Sequence, residues 1–377
     1  MIIALVLIIV ALLAHYVFFL HKVLTGLKKV TRITTPPRDE YFVSVIIPFR
    51  NEEKNILKNL ESIKSQIFPL ENYEVINVND NSEDNSYNLL TKNKNRYNIK
   101  AISVPSGFSP NAHKKRALRY GIENSKGHII VTTDADCTHH PMWLQTLVSM
   151  FNDKVGFVSA PVVFEAGEDT FSQLQQLEFA GLVLVGAGLI GAGSPTICNA
   201  ANIAFSKKAF ISVNGFKDNM DLSSGDDEFL MQKIASKKEK LVKFCFDENA
   251  IVRTTANKTV SEFFSQRRRW ASKGLFYNDK WLIVKLVLIF LFYLSLTAQP
   301  VMGIFISFYF FLTFIVSVAA KFYFEYSVLN NGIPAFYKKI SPKIFLIAEL
   351  LHVPYIIITA LAGVRGNFTW KGRKLKR

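Results

Sequence analysis

The chain has 377 residues, a formal net charge of +15 and a hydrophobic share of 49%, with 32 phenylalanines that gather toward its two ends. Its length accommodates one large domain plus further elements, or two domains of ordinary size, and the end-loaded apolar content points to a membrane. The positive balance suits anionic lipid and an anionic ligand, whereas no recognition motif or aromatic-basic platform is present for nucleic acid.

In chain order, MIIALVLIIVALLAHYVFFL has the length of a bilayer span and is followed, not preceded, by Lys22, Lys28, Lys29 and Arg32. That order predicts an uncleaved anchor over residues 1–22, with the following domain, residues 40–275, on the cytoplasmic side. VSVII (43–47), EVINV (74–78) and IIVTT (129–133) are β-rich runs separated by helix-compatible stretches, the pattern of a doubly wound α/β domain with a mostly parallel sheet. Asn51 is placed to cap the helix after the first run. Ligands in such sheets lie beyond the carboxyl ends of the strands, so Asp80, Asp134 and Asp136 are expected on one edge.

Two aspartates one residue apart, Asp134 and Asp136, repel unless a cation joins them. Hard oxygen donors predict Mg2+ or Mn2+, held by one or two carboxylates with substrate phosphate completing the shell. His139 and His140 are further candidate ligands, and a solvated acidic turn is the alternative. Cys137, Cys198 and Cys245 form no C-x-x-C pair and read as reduced thiols without a metal role.

LVGAGLIGAGSP (184–195) is short and glycine-rich, which predicts a loop or interface element against the bilayer. Asn199 and Asn202 serve equally well to bind sugar hydroxyls or to hold turns. Asp226 and Asp227 begin a helix, where acids also serve as plain N-terminal complements. QRRRW (266–270) reads as a basic membrane-surface helix with Trp270 at the headgroup level, or as a nucleic-acid patch, which would want more positive charge around it.

Residues 281–377 form a C-terminal membrane region of two to three apolar helices with a basic tail. Trp281 to about Ala320 suffices for two spans, with Gln299, Pro300 and Gly303 marking the bend. A third block from Ile344 carries Glu349, His352 and Pro354, which calls for a partner, a wet cavity or a segment that does not cross. If every block crosses, WKGRKLKR ends opposite the domain, against the positive-inside tendency; either the last block is re-entrant or interfacial, or one span is miscounted.

The ordered motifs SVIIPFRNEE, VNDNSEDNS, TTDADC, SGDDEFL and QRRRW, over roughly residues 43–274, resemble the inverting GT-A glycosyltransferases of family 2, among them cellulose and hyaluronan synthases and ceramide glucosyltransferase. The resemblance implies a GT-A (nucleotide-diphospho-sugar transferase) fold, an α/β doubly wound mixed sheet with N-terminal and C-terminal transmembrane helices. It assigns Asp80 to the uracil or ribose end of the donor and Pro48, Glu52, Lys114 and Asp134 to the nucleotide-sugar, with Lys115 a rival to Lys114. Asp136 and Asp134 would hold the metal. Asp227 would be the catalytic base and Asp226 its neighbour, and Gln266, Arg269 and Trp270 would face the acceptor and the leaving diphosphate. Asn79 stands where the family usually has an acid, which bears on nucleotide preference. Implied partners are a nucleotide-sugar donor, probed first as a UDP-sugar, a membrane lipid or lipid-linked glycan acceptor, and the bilayer, with no nucleic acid. Alternatives are a processive polysaccharide synthase and a non-catalytic nucleotide-binding membrane protein; the short path from Gly274 to the membrane favours single addition.

Overall fold

A computed structural model describes residues 1–30, 41–108, 113–217, 225–336, 341–364, 368–370 and 373–375, without the side chains of residues 113, 275 and 335 or those beyond 364. Arg32 and part of the basic tail lie outside the described residues. The N-terminal apolar segment is α1 (Ile2–Leu27). Strands and helices then alternate as β1 (Val43–Phe49), α2 (Ile56–Lys64), β2 (Tyr73–Asn79), α3 (Ser86–Tyr97), β3 (Lys100–Ser103), α4 (His113–Glu123) and β4 (Ile129–Thr132). Next come β5 (Thr138–His139), α5 (Trp143–Val148), β6 (Val155–Ser159), β7 (Val162–Glu165) and the long α6 (Thr170–Gly191). They are followed by β8 (Ile203–Ser206), α7 (Lys207–Ser212), α8 (Asp226–Ser236), β9 (Leu241–Phe244), β10 (Val252–Thr255) and α9 (Val260–Ala271). The C-terminal part holds α10 (Lys280–Phe305), α11 (Tyr309–Gly332), α12 (Pro342–Val364) and a hairpin of β11 (Phe368–Trp370) and β12 (Arg373–Leu375).

The main sheet runs β3-β2-β1-β4-β8-β6-β9. Its first four strands are parallel, and β8 is antiparallel to both β4 and β6, which makes the sheet mixed. A second sheet has the order β5-β10-β7. Side chains alternate as the period of two demands: Val43, Val45 and Ile47 enter one core with Trp143, and Ile46, Ile76 and Ile130 enter another with α4 and the apolar helices. Because both faces are covered, β1 is buried throughout. The β1–β4 ladder ends at Ile46–Thr132, two residues before Pro48, so the missing proline N–H leaves no gap in it. Parallel β2, β1 and β4 bring Asp80 and Asp134 to one carboxyl edge, as expected.

Asn51 does not cap a helix. It adopts φ 53°, a left-handed turn that asparagine tolerates, and its Oδ1 accepts from the Glu83 N–H while α2 begins four residues beyond the expected place.

Five helices, α1, α6, α10, α11 and α12, are long and apolar enough to cross a membrane. Three of them meet about halfway along their lengths: Tyr16 of α1 stacks on Phe292 of α10 at 4.4 Å between centroids, and its hydroxyl bonds Tyr293 at 3.0 Å and Glu325 of α11. Helix α12 reaches the same point through His352, 3.2 Å from Glu325, and α6 lies where this bundle joins the domain. A Cβ on Gly26 of α1 would stand 1.8 Å from the Gly188 carbonyl oxygen of α6, so the two backbones touch where α1 enters the domain. The stretch 184–191 is therefore helical, not a loop, because bare glycine faces let α6 lie flat against α1.

The path of the C-terminal helices removes the charge conflict. Helix α10 continues through Pro300, and the turn falls later, at Ile306–Phe308. Helix α11 returns to the domain, where Phe336 packs on Phe246 at 4.4 Å between centroids. At the far end of α12, a Cβ on Gly363 would lie 2.8 Å from that of Ala271 in α9, and β11 packs beside α9. The C-terminal end of α12 thus rests against the domain, and β11 lies on the domain's side. Two ionic groups of α12 are paired, Glu349 with Lys321 at 2.6 Å and His352 with Glu325 at 3.2 Å.

Candidate active site

Between the sheet edge and the apolar helices lies a cavity of about 1870 Å³. At its polar end the chain leaves β4 and turns through Asp134-Ala135-Asp136. Buried Asn59 of α2 holds this turn, its amide donating to the carbonyls of Asp134 at 3.1 Å and Cys137 at 2.9 Å. Asp134 is half-exposed and Asp136 exposed, both to the cavity. Lys114 of α4 reaches Asp134 Oδ1 at 2.5 Å. Burial works to lower the Lys114 pKa, but Asp134, then Asp226 and Asp227, raise it above the ordinary lysine value, so it is a fixed cation among three acids. Its rival Lys115 is buried with its ammonium 5.6 Å from the centre of the Phe229 ring.

Helix α8 presents Asp226 and Asp227 in its first turn, after Gly225 at φ +83°, a conformation that leaves little choice but glycine. Asp227 accepts from the Ala200 N–H through Oδ2 and from the Glu228 N–H through Oδ1, both at 2.8 Å. Ala200 in turn accepts from Thr132 Oγ1 at 2.9 Å, which ties the α8 acids to the end of β4. Asp226 is buried, and its Oδ2 has no hydrogen-bond partner. Behind them Lys273 bonds Glu228 Oε1 at 3.1 Å and Tyr277 donates to Glu228 Oε2 at 2.6 Å. Burial pushes the Glu228 carboxyl up to about 7 against the pull of Lys273, with Asp227 adding to the rise.

Arg269 lies among Asp226, Asp134 and Asp227, whose charges oppose the lowering of its pKa by burial. Its neighbour Arg267 does something different. It is buried, ion-paired with Glu178 of α6, and its guanidinium carbon sits 4.4 Å from the centre of the Trp270 ring. Tyr355 of α12 donates to Glu178 Oε1 at 2.8 Å. Arg267 thereby fastens α9 to both domain-side helices, and Gln266 Oε1, accepting from Asn257 at 3.0 Å, fastens it to the loop after β10. A capping box at Thr259 and Glu262 starts α9.

Lys114, Asp134, Asp136, Asp226, Asp227, Gln266, Arg269 and Trp270 all line the cavity. Pro48, Glu52 and Asp80 do not. Asp80, although on the expected edge, is buried in an ion pair with Arg116 at 2.5 Å; Glu52 accepts from Asn55 at 2.8 Å. Asn79 spends both amide groups inside the protein, on Ser103 and on the Ser82 N–H. His139 is no metal ligand: Ser62 and Thr133 occupy its two nitrogens, and burial lowers its pKa to about 3. His140 Nδ1 accepts from the Met142 N–H. Asn202 is wholly buried, bonded to Trp143 and two carbonyls, and Asn199 holds a turn through the Ala201 N–H. The three cysteines are free thiols.

Asp134 and Asp136 offer hard oxygen donors fit for Mg2+ or Mn2+. Among the described residues they belong to no group of three clustered ligands. Such a group does exist at Glu325, Glu349 and His352, but the Lys321 ammonium bonds both carboxylates and supplies the positive charge an ion would bring. The sequence did not reveal Glu178, Arg267, Glu228, Lys273 or Tyr277 as site residues; a lone acid in apolar α6 was the available signal for the first.

The fold is GT-A. It superposes on the mannosyltransferase PcManGT of Pyrobaculum calidifontis, solved in complex with GDP-Man and Mn2+, with a TM-score of 0.59 over 96% of this chain and 99% of that one at 19% identity. In sequence the chain is 34% identical over 146 residues to glycosyltransferase AglE of Haloferax volcanii, spanning 36% of this chain and 47% of that one. It is 29% identical over 109 residues to an undecaprenyl-phosphate 4-deoxy-4-formamido-L-arabinose transferase of Pseudomonas fluorescens, spanning 29% and 32%. The chain thus covers less than half the length of each of these two relatives. The profile of glycosyl transferase family 2 matches residues 44–213, and that of glycosyl transferase family group 2 matches residues 129–338. With the second profile covering more than half of its residues, the chain belongs to glycosyl transferase family group 2.

Proposed function

We propose that the protein moves a sugar from a nucleotide-diphospho-sugar, with inversion, onto an oxygen of a lipid or lipid-linked acceptor at the cytoplasmic membrane face, its transferase domain spanning residues 40–275. The observation that carries this reading is the cavity itself: acids and Arg269 at one end, apolar side chains of α1, α10 and α12 at the other. A sugar nucleotide suits the first and a lipid chain the second. Relatives that act on undecaprenyl-phosphate support a lipid-borne acceptor. Lysines at the domain-side end of α1 and in the tail support a cytoplasmic domain.

In this reading Asp227 takes the proton from the acceptor hydroxyl as its oxygen attacks the anomeric carbon. The bond from that carbon to the diphosphate oxygen breaks, and the electron pair leaves with the nucleoside diphosphate. Two backbone N–H groups orient Asp227 yet leave lone pairs for that proton. Asp226 positions the acceptor through its unpartnered oxygen, and Arg269 and Lys114 balance the charge that grows on the leaving group. Gln266 and Trp270 hold the helix that carries Arg269. Asp134 and Asp136 would hold a divalent ion, which would neutralise diphosphate. Pro48, Glu52 and the Asp80–Arg116 pair shape the shelf for the base and ribose.

A polymer-exporting synthase is disfavoured because Tyr16, Phe292, Tyr293 and Glu325 close the centre of the α1, α10 and α11 bundle. Membranes incubated with a panel of sugar nucleotides and Mn2+ should release nucleoside diphosphate and yield one new lipid mass, one sugar heavier. A ladder of products would convert the reading to a synthase, and no release with any donor would end it.

A further inference from the structure

The first turn of α8 carries three acids in a row, Asp226, Asp227 and Glu228, all of them buried. Like charges so close oppose each other's ionisation, and nearby cations must offset this. Asp227 is faced by three: Lys114 of α4, Arg269 of α9, and Lys273, which follows α9. The first two also face Asp134 and Asp226, and in the transfer proposed above their charge is drawn to the leaving diphosphate. Lys273 is then the cation left to Asp227 at the moment when it must be ionised to take a proton. Besides these cations, Asp226, Glu228, the Cys198 thiol and the Tyr277 hydroxyl face Asp227.

The segment that joins α9 to α10 fixes Lys273 in this place. Its ammonium lies 3.1 Å from Glu228 Oε1 and 3.9 Å from Asp227 Oδ1, and its side chain is 12% exposed. The Lys273 carbonyl accepts from the Phe276 N–H at 2.9 Å. Tyr277, the next residue, donates to Glu228 Oε2 at 2.6 Å and sets its ring against Phe229 of α8 at 5.6 Å between centroids. One oxygen of Glu228 thus places the ammonium, and the other ties the joining segment to α8. Burial works to lower the Lys273 pKa, but Glu228, then Asp227, raise it above the ordinary lysine value, so the charge persists.

We infer that Lys273 is a positioning residue for the transfer: it holds the Asp227 carboxylate charged and in place while Lys114 and Arg269 serve the diphosphate, and Glu228 and Tyr277 hold Lys273. This rests on reading Asp227 as the base of a sugar transferase. Lys273 forms no bond to substrate in the step. The acceptor proton passes to Asp227, and the ammonium keeps its own three protons. An opposite charge within about 4–6 Å favours the ionised carboxylate by about ten- to a thousandfold, which sets the scale of the effect.

The test is turnover of the purified full chain across pH, with the sugar nucleotide found in the membrane assay above and membrane lipid extract as acceptor. Lys273→Met should lose about 10²-fold in kcat with donor KM little changed, and its kcat should go on rising with pH where that of the unaltered protein has levelled. Lys273→Arg should stay within about tenfold of the unaltered protein. Because Lys273→Met strands Glu228 and can fail to fold, a second variant, Lys273→Met with Glu228→Gln, removes both charges together. It should show the same loss of kcat, its folding read by stabilisation with nucleoside diphosphate and Mn2+. Turnover of that double variant equal to the unaltered protein would reduce Lys273 to neutralising Glu228 and overturn the inference. So would a pH profile of unaltered shape in Lys273→Met, or a raised donor KM at unchanged kcat, which would put Lys273 on the donor's phosphates. If the unaltered protein turns over no sugar nucleotide, the transferase reading itself fails and the inference falls with it.

Discussion

Two polar clusters face the same cavity and are built on opposite principles. In the apolar bundle, Glu325 is bonded by Tyr16, Tyr293, Lys321 and His352, and Lys321 also bonds Glu349. At the sheet edge, Asp226 keeps an oxygen without a partner, Asp136 is exposed, and Lys114 and Arg269 stand among three acids. The first cluster answers its own charges and joins four helices. The second keeps one buried carboxylate oxygen, Asp226 Oδ2, without a partner, a position from which a ligand can be held. Burial alone does not separate structural from working groups here.

The sharpest way to break that contrast is to alter the incomplete cluster. Asp227→Asn should retain binding of nucleoside diphosphate and lose about 10²- to 10⁴-fold in turnover, read by product formation at saturating donor. Asp226→Asn should act mainly on acceptor KM, since its free oxygen takes no proton in the transfer. If the two variants exchange these phenotypes, Asp226 is the base. Asp136→Ala should weaken donor binding at least about tenfold in the presence of Mn2+ and abolish its metal dependence, measured by calorimetry. Metal-dependent binding at undiminished affinity would remove Asp136 from the metal site.

Where the sequence spoke clearly, local chemistry was decisive. Val43–Phe49, Tyr73–Asn79 and Ile129–Thr132 are β-branched runs that end in polar turns, so the parallel order of β2, β1 and β4 and the shared edge of Asp80 and Asp134 were legible. Asn51 was misread because asparagine serves both as a helix cap and in left-handed turns, and only Glu83, 32 residues away, decides which. Helix α6 escaped notice because glycines that look like loop signals are a packing face when a second helix touches them. The route of α12 was undecidable, since hydropathy measures length and apolarity but not where the ends go; Ala271, against Gly363, fixes its C-terminal end. Within QRRRW, spacing singled out Arg269 but could not show that Arg267 turns away toward Glu178.

That pair gives the next comparison. Arg267→Met strands Glu178 in a mostly buried place and should lower stability by about 3–5 kcal/mol; Lys321→Met should do as much by stranding Glu325 and Glu349. The two should differ in rate. Folded Lys321→Met protein should turn over like the unaltered protein, whereas Arg267→Met should lose kcat with donor KM little changed, because α9 no longer holds Arg269 in place. Replacing Glu178 and Arg267 together by apolar residues should recover stability without recovering kcat. Recovery of both would make the pair merely structural.

The smallest effect tests whether completeness of pairing holds even inside the working cluster. Glu228 is bonded by Lys273 and Tyr277, yet its carboxyl is raised from 4.5 to about 7, so burial outweighs its partners. Between those two values the folded protein keeps a proton that the unfolded chain has lost. Its contribution to stability is therefore whole below pH 4.5 and is withdrawn as the pH rises to about 7, a change of about 3 kcal/mol. Denaturation of the unaltered protein and of Glu228→Gln across this range should diverge steadily, the variant gaining relative stability toward pH 7 because glutamine has no proton to lose. Parallel curves would mean that Lys273 holds Glu228 ionised throughout, and the α8 acids would then be as fully answered as those of the bundle.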